Sequence, residues 1–317
     1  RGGDWFQGTA DAVYQNLNLI QLQNPDLVVV FGADHIYRMD IQQMVDFHLE
    51  READATVAAL PVPIAEASSF GIINADHAGR VNDFQEKPAN PPPMPSDPTR
   101  AYASMGNYLF NAKVLMQALK EANERGEHDF GHHVLPHLKE THRVFAYDFA
   151  TNKVPGTKPY EEPAYWRDVG TRDAYFNAHQ DLLGLTPRFD MFNPQWRIFS
   201  SNYQGPVARL FDARIHNSVI AAGSMVRQAT ISNTIIRREV TIEDGVEIED
   251  CLIQDYVHIK RGAKLRRAII GGYNVIEAGT RIGHDLEQDR SLYQVTQGGI
   301  TVVGPREVTS TMRAFSE

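Results

Sequence analysis

Two aspartates, a glutamate and a lysine stand in contexts suited to handling phosphate. Asp34 follows the apolar run Leu27-Val28-Val29-Val30-Phe31 and Gly32. In open α/β sheets ligands bind beyond the carboxyl ends of strands, and a carboxylate there can hold a magnesium ion (Mg2+) that also takes phosphate oxygens. Asp34 reads equally as a turn residue, or as the cap of a helix starting near Asp40. Asp168, in Trp166-Arg167-Asp168-Val169-Gly170-Thr171, is a second candidate metal ligand, or else it caps the next helix or pairs with Arg167. Glu86-Lys87-Pro88 offers a carboxylate to hydroxyls and an ammonium to a phosphate. The plainer reading is an exposed ion pair. Ser104 opens a strand-like stretch, and its hydroxyl can meet a ligand or simply start the strand. Gly8-Thr9-Ala10 precedes a helical segment. Small residues there admit a ligand close to the backbone, and a helix start favours anions, although Thr9 also suits an ordinary N-cap. His128, His132 and His133 lack zinc spacing with a fourth ligand and read as a surface cluster. His216, His258 and His284 read as solvated turn positions rather than bases for acyl transfer, and Cys251 reads as core.

The elements that must position these residues change character along the chain. Its 317 residues suggest about two domains, and 42% hydrophobic content suffices for packed cores. A net charge of −9 with no long basic run argues against nucleic-acid polymers and anionic membranes as partners. The lone Cys251 makes an internal disulfide impossible and fits a reducing cytoplasm. No apolar stretch reaches membrane length and no signal peptide is present. The first residue is Arg1 rather than an initiator methionine, which leads us to expect a truncated N-terminus.

Over residues 1–185 helical and strand patterns alternate. Residues 11–22 place Ala12, Val13, Leu17 and Ile20 on one helical face. Leu27–Phe31 reads as a buried parallel strand, residues 40–52 as a helix, and Ala55–Leu60 as a strand stopped by Pro61 and Pro63. Such alternation predicts a Rossmann-like α/β domain with a mostly parallel sheet. Residues 88–98 are too rich in proline for helix or inner strand and read as a surface loop beside a site. Residues 206–317 follow another period. Ile242-Glu-Asp-Gly245, Ile259-Lys-Arg-Gly262 and Ile276-Glu-Ala-Gly279 share one pattern, with Ile220-Ala-Ala-Gly223 as an earlier copy. Apolar triplets lie between them. A repeat of this length is the sequence form of a parallel β-helix. Residues 186–205 lose both periods and read as a linker pinned by Phe189, Phe192, Trp196 and Phe199.

Each motif alone is weak, but their order is specific. GTADAV (8–13), FGADHIYRMD (31–40), FGII (70–73), FQEKP (84–88), SMGNYLF (104–110), HDFGHHVLP (128–136) and YWRDVGT (165–171), followed by a β-helix, resemble the sugar-phosphate nucleotidylyltransferases. Among them the chain is most similar to bacterial-type ADP-glucose pyrophosphorylases (glucose-1-phosphate adenylyltransferases), over nearly its whole length. The resemblance implies that ATP and α-D-glucose 1-phosphate give ADP-glucose and pyrophosphate for glycogen synthesis. It implies a left-handed β-helix, a homotetramer and small-molecule allosteric effectors. It assigns Asp34 and Asp168 to Mg2+, and Gly71, Glu86, Lys87 and Ser104 to the glucose-phosphate side, with Lys87 on the phosphate. Gly8, Thr9 and Ala10 would line the nucleotide. Phe6, where the family often has tyrosine, would keep stacking and lose the hydroxyl. In the tail, Gly299-Ile300-Thr301-Val302-Val303 and Arg306-Glu307 match the activator-responsive members in part. Arg306 is the effector candidate, and Arg313 compensates for Ser310. The family's glycine-rich, arginine-containing phosphate loop is absent from the chain, so the resemblance implies that the chain alone does not turn over. The competing expectations are a non-catalytic regulatory subunit, which loss of the aspartates would favour, a nucleotidylyltransferase for another sugar phosphate or nucleotide, and a β-helix acyltransferase, which would release no pyrophosphate.

Overall fold

The computed structural model describes residues 5–200 and 202–307. The chain divides into two units, 1–33 with 37–154 and 34–36 with 155–317. In the first, α1 (Thr9–Tyr14) and α2 (Leu17–Gln23) lead into β1 (Leu27–Val30). After β2 (His35–Tyr37), whose first two residues belong to the second unit, come α3 (Ile41–Glu50), β3 (Ala55–Pro63), β4 (Gly71–Ala75) and β5 (Val81–Glu86). Then follow β6 (Arg100–Asn111), α4 (Ala112–Glu124), α5 (Leu135–Thr141) and β7 (Val144–Asp148).

The sheet runs β5-β4-β6-β3-β7, with β1 also on β6. The expected mostly parallel sheet is instead mixed. Only β3 and β7 run parallel, and β6 is antiparallel to β1, β3 and β4. An apolar run reports burial but not direction. β1 accordingly pairs antiparallel with Tyr108–Asn111, and its Val29 is 44% exposed. β3 passes through Pro61 and Pro63 rather than stopping before them. Its pairing with β7 ends at Ala59, so both prolines stand where β6 is the only neighbour and a missing donor is tolerated. The single helix expected over 11–22 breaks at Gln15 and Asn16. Residues 88–98 form a loop without helix or strand, as expected. The core gathers Ala55, Val57, Phe110, Leu115, Phe130 and Val144 between the sheet and α4.

The second unit begins with β8 (Trp166–Asp168), which pairs with β2, and α6 (Arg172–Gln180). Residues 186–200 and 202–205 contain no helix or strand. Of the aromatics expected to pin this stretch, Phe189 is buried with its ring 4.8 Å from that of Tyr165, while Phe192 and Phe199 are 77% and 91% exposed. The remainder is a parallel β-helix whose inward ladders stack in register. They are Val226, Ile242, Ile259, Ile276 on one face, Ile231, Ile248, Leu265, Ile282 on the second, and Ile236, Ile253, Ile270, Val303 on the third. The repeated glycines 223, 245, 262 and 279 turn the chain at φ between 70° and 77°, a conformation that resists a side chain. Cys251 is buried in this core, as read, and burial pushes its thiol up to about 12. His216 and His258 lie on strands rather than at turns, and His258 Nε2 is 2.8 Å from Glu243. No helix among the described residues is long and apolar enough to cross a membrane.

Candidate active site

Asp34 and Asp168 come together. Asp34 directly precedes β2, Asp168 ends β8, and the Asp34 carbonyl accepts from Val169 N at 3.4 Å. Neither aspartate caps a helix. The cap of α3 is Asp40, whose carboxylate accepts from Gln42 N, and the cap of α6 is Thr171, whose hydroxyl accepts from Ala174 N. Asp168 Oδ1 instead accepts from Gly170 N at 2.8 Å, which fixes its rotamer. Arg167 turns away to a bidentate pair with Glu162 at 2.9 and 2.7 Å and to Asp181 at 3.1 Å, lying over the Tyr165 ring. These bonds, led by the one to Glu162, raise the Arg167 pKa and anchor β8. The Asp34 side chain is 65% exposed, with His35 Nε2 3.8 Å away. Two solvent-open carboxylates on segments joined by that backbone bond are hard oxygen donors of the kind a divalent cation takes. Among the described residues no group of three or more His, Cys, Asp or Glu is placed to hold a metal.

In the first unit Gly71, Glu86, Lys87 and Ser104 gather on β4, β5 and β6. Gly71 and Glu86 are cross-strand partners, and a Cβ on Gly71 would stand 2.9 Å from Glu86 Oε2 and 3.2 Å from the Phe84 ring. Glycine there makes room for the carboxylate. Lys87 leaves β5 at φ 45°, a costly conformation for a residue before proline, and its N–H is held by the Phe70 carbonyl at 3.0 Å. Strain of this kind, worth about 1–3 kcal/mol, collects at functional sites. Lys87 Nζ is 3.7 Å from Glu86 Oε1. Ser104 borders a bulge in β6 rather than opening the strand: Met105, Gly106 and Asn107 together face only Ala58 of β3. Gly106, at φ 71°, donates to Ser104 Oγ. Bulges re-aim side chains beside active sites.

Two residues without an assigned role in the sequence reading join this cluster. Tyr108 is buried, and its hydroxyl, hydrogen-bonded to Ser104, is pushed up to about 12 mainly by burial and further by Asp129 and Glu86. Asp129 accepts from Thr9 Oγ1 at 3.0 Å and from His132 N. Their only signals were the motifs that contain them, SMGNYLF (104–110) for Tyr108 and HDFGHHVLP (128–136) for Asp129. The segment 8–10 differs from expectation. Helix α1 starts at Thr9, so Gly8 is the N-cap, and the N–H groups of Ala10 and Asp11 are taken by the His128 carbonyl. A Cβ on Gly8 would lie 2.4 Å from that oxygen, so close packing on His128 explains the glycine. Phe6 is 49% exposed. Arg306 is exposed, with its N–H on the Gly272 carbonyl. Ser310 and Arg313 lie outside the described residues.

Residues 3–184 match the family described as Nucleotidyl transferase, and residues 208–303 match GlmU-like, C-terminal hexapeptide. Fold and site together define a nucleotidyltransferase with a C-terminal hexapeptide β-helix. Glucose-1-phosphate adenylyltransferase of Thermodesulfovibrio yellowstonii is 52% identical over 95% of this chain and 74% of its own length. The enzymes of that name from Anaeromyxobacter sp. and, as glucose-1-phosphate adenylyltransferase 1, Vibrio parahaemolyticus are 44% and 42% identical, each over 95% of this chain and 76% of their own. The chain belongs to the glucose-1-phosphate adenylyltransferase family.

Proposed function

We propose that this protein transfers the adenylyl group of ATP to glucose 1-phosphate, giving ADP-glucose and pyrophosphate for glycogen synthesis in the cytoplasm. The observation that carries the reading is the placement of Asp34 beside Asp168 in a chain 52% identical to a glucose-1-phosphate adenylyltransferase. A phosphate oxygen of the sugar forms a bond to the α-phosphorus of ATP as the bond from that phosphorus to the bridging oxygen of pyrophosphate breaks. No protein nucleophile is required. Catalysis then consists of orientation and of neutralising charge that builds in the transition state. Asp34 and Asp168 are the ligands for Mg2+, which supplies Lewis-acid neutralisation of phosphate oxygens when bound. Lys87 neutralises the sugar phosphate, Glu86 accepts from sugar hydroxyls in the space left by Gly71, and Ser104 adds a hydrogen bond. Phe6 stacks on the nucleotide side, and Gly8, Thr9 and Ala10 present small residues there. We assign Arg306 to an anionic effector, and the enzyme to a homotetramer.

A non-catalytic regulatory subunit is disfavoured by the presence of Asp34, Lys87 and Asp168 together. The test is a substrate panel on the enzyme that contains this chain: ATP, UTP, GTP and CTP crossed with several sugar 1-phosphates, reading pyrophosphate and nucleotide sugar. ATP with glucose 1-phosphate should give the highest kcat/KM. Preference for another pair contradicts the assignment. Within the panel, Lys87→Gln should raise the KM for glucose 1-phosphate roughly ten- to hundredfold and leave that for ATP nearly unchanged. A lost charge-assisted contact of about 1.5–3 kcal/mol to a group charged in ground and transition states appears as lost uniform binding. A rise confined to ATP would move Lys87 to the nucleotide.

A further inference from the structure

We propose that Asp173 is a positioning residue that ties the segment carrying Asp168 to the loop at residues 296–300 of the β-helix. The inference rests on the role given above to Asp168. Only Val169, Gly170 and the capping Thr171 separate that aspartate from α6, so the first turn of the helix sets where the segment lies. Further along, α6 is held by apolar packing, with Phe176 buried among Leu252, Ile269 and Ile300, and by the Tyr175 hydroxyl, which accepts from Gln254 Nε2 at 3.2 Å. The first turn has a directional tie. Asp173 Oδ1 accepts from Thr296 Oγ1 at 2.7 Å, and Oδ2 lies 3.5 Å from Gly298 N.

The loop that receives Asp173 is itself braced. Thr296 Oγ1 also accepts from Ile300 N at 3.1 Å, while Thr296 N donates to the Ile300 carbonyl at 3.0 Å. One hydroxyl thus closes the loop and holds the carboxylate. Arg267 donates to the Gly298 carbonyl through Nε and Nη2 at 3.3 and 3.2 Å, and its guanidinium lies 5.8 Å from the centre of the Phe176 ring. Gly298 has no left-handed backbone to explain it, yet a Cβ there would fall 2.4 Å from Asp173 Oδ1. Glycine at 298 is explained by the carboxylate that it admits. The strand Thr301–Val303 continues this loop towards Arg306, so the tie also joins the segment of Asp168 to the candidate effector residue.

The test compares Asp173→Ala, Gly298→Ala and Asp173→Asn in the whole chain by hydrogen exchange read on peptides. The first two should speed exchange over residues 169–172, with no change over 71–86 and no general loosening of the β-helix ladders. Asp173→Asn, which retains an acceptor for Thr296, should stay near the parent. In the enzyme that contains this chain, Asp173→Ala and Gly298→Ala should lower kcat on the order of ten- to a hundredfold, as expected for a misplaced catalytic group. The KM for glucose 1-phosphate should be unmoved. Unchanged exchange over 169–172 in both variants overturns the tie, and so does equal loosening of the whole β-helix. Faster exchange there with undiminished turnover keeps the tie and contradicts the role given to Asp168.

Discussion

Glu86 faces a glycine across the strand pair, and that gap is where we place the sugar. Filling it with one methyl group brings a carbon 2.9 Å from Glu86 Oε2. Gly71→Ala should therefore displace the carboxylate and raise the KM for glucose 1-phosphate roughly tenfold, a cost of about 1.4 kcal/mol, with the fold and the KM for ATP kept. An unchanged KM for glucose 1-phosphate in steady-state kinetics would detach Gly71 and Glu86 from the sugar. At this scale the sequence was legible through the order of its motifs rather than through any one of them. Asp34 had an equally good bland reading as a turn residue, and for Lys87 taken alone an exposed ion pair was the better reading. Tyr108 and Asp129 had no assigned role, because what joins them to Ser104 and Thr9 is a bulge and a loop contact that no local spacing announces.

Element type was easier to read than element direction. The apolar runs at 27–31 and 55–60 do form strands, but nothing in their composition encodes that β6 would run against three neighbours. Two histidines, one buried and one half-buried, give the elements a pH dependence. His48 on α3 is held near Thr56 and Asn111, and His179 on α6 lies against Tyr175. Burial is the largest cause that lowers both pKa values below the ordinary 6.5, and Arg237 adds to it at His179. The unfolded chain takes up these protons near pH 6.5 and the folded chain only lower. Their contribution to stability is therefore complete above about pH 6.5 and is lost as the pH falls from there towards the folded values. Thermal midpoints measured from pH 8 to 5 should drop below pH 6.5, and His48→Gln with His179→Gln should make that drop shallower. A drop just as steep in the double variant would show that other groups set it.

For the molecule as a whole, the β-helix was legible because the same residue types recur at one period, each facing the core at the same point of its coil. What the repeat concealed is that α6, a segment of different period, covers Leu252, Ile269 and Ile300. A fragment of residues 155–317 should consequently melt higher than one of residues 206–317, which leaves that apolar patch open to water. Equal melting temperatures by circular dichroism would mean that α6 adds nothing to the β-helix. The central claim, that Asp34 and Asp168 act as one unit on the phosphates, is tested most directly in the enzyme that contains this chain. ADP-glucose and pyrophosphate formation from ATP and glucose 1-phosphate is measured for Asp34→Asn, Asp168→Asn and the double variant, with circular dichroism as the check on folding. Each single variant should fold and lose on the order of 10²–10⁴ in turnover, and the double should be little worse than either single, since a unit broken once has little left to lose. Near-normal pyrophosphate release by either single variant, or losses that multiply in the double, would contradict the account.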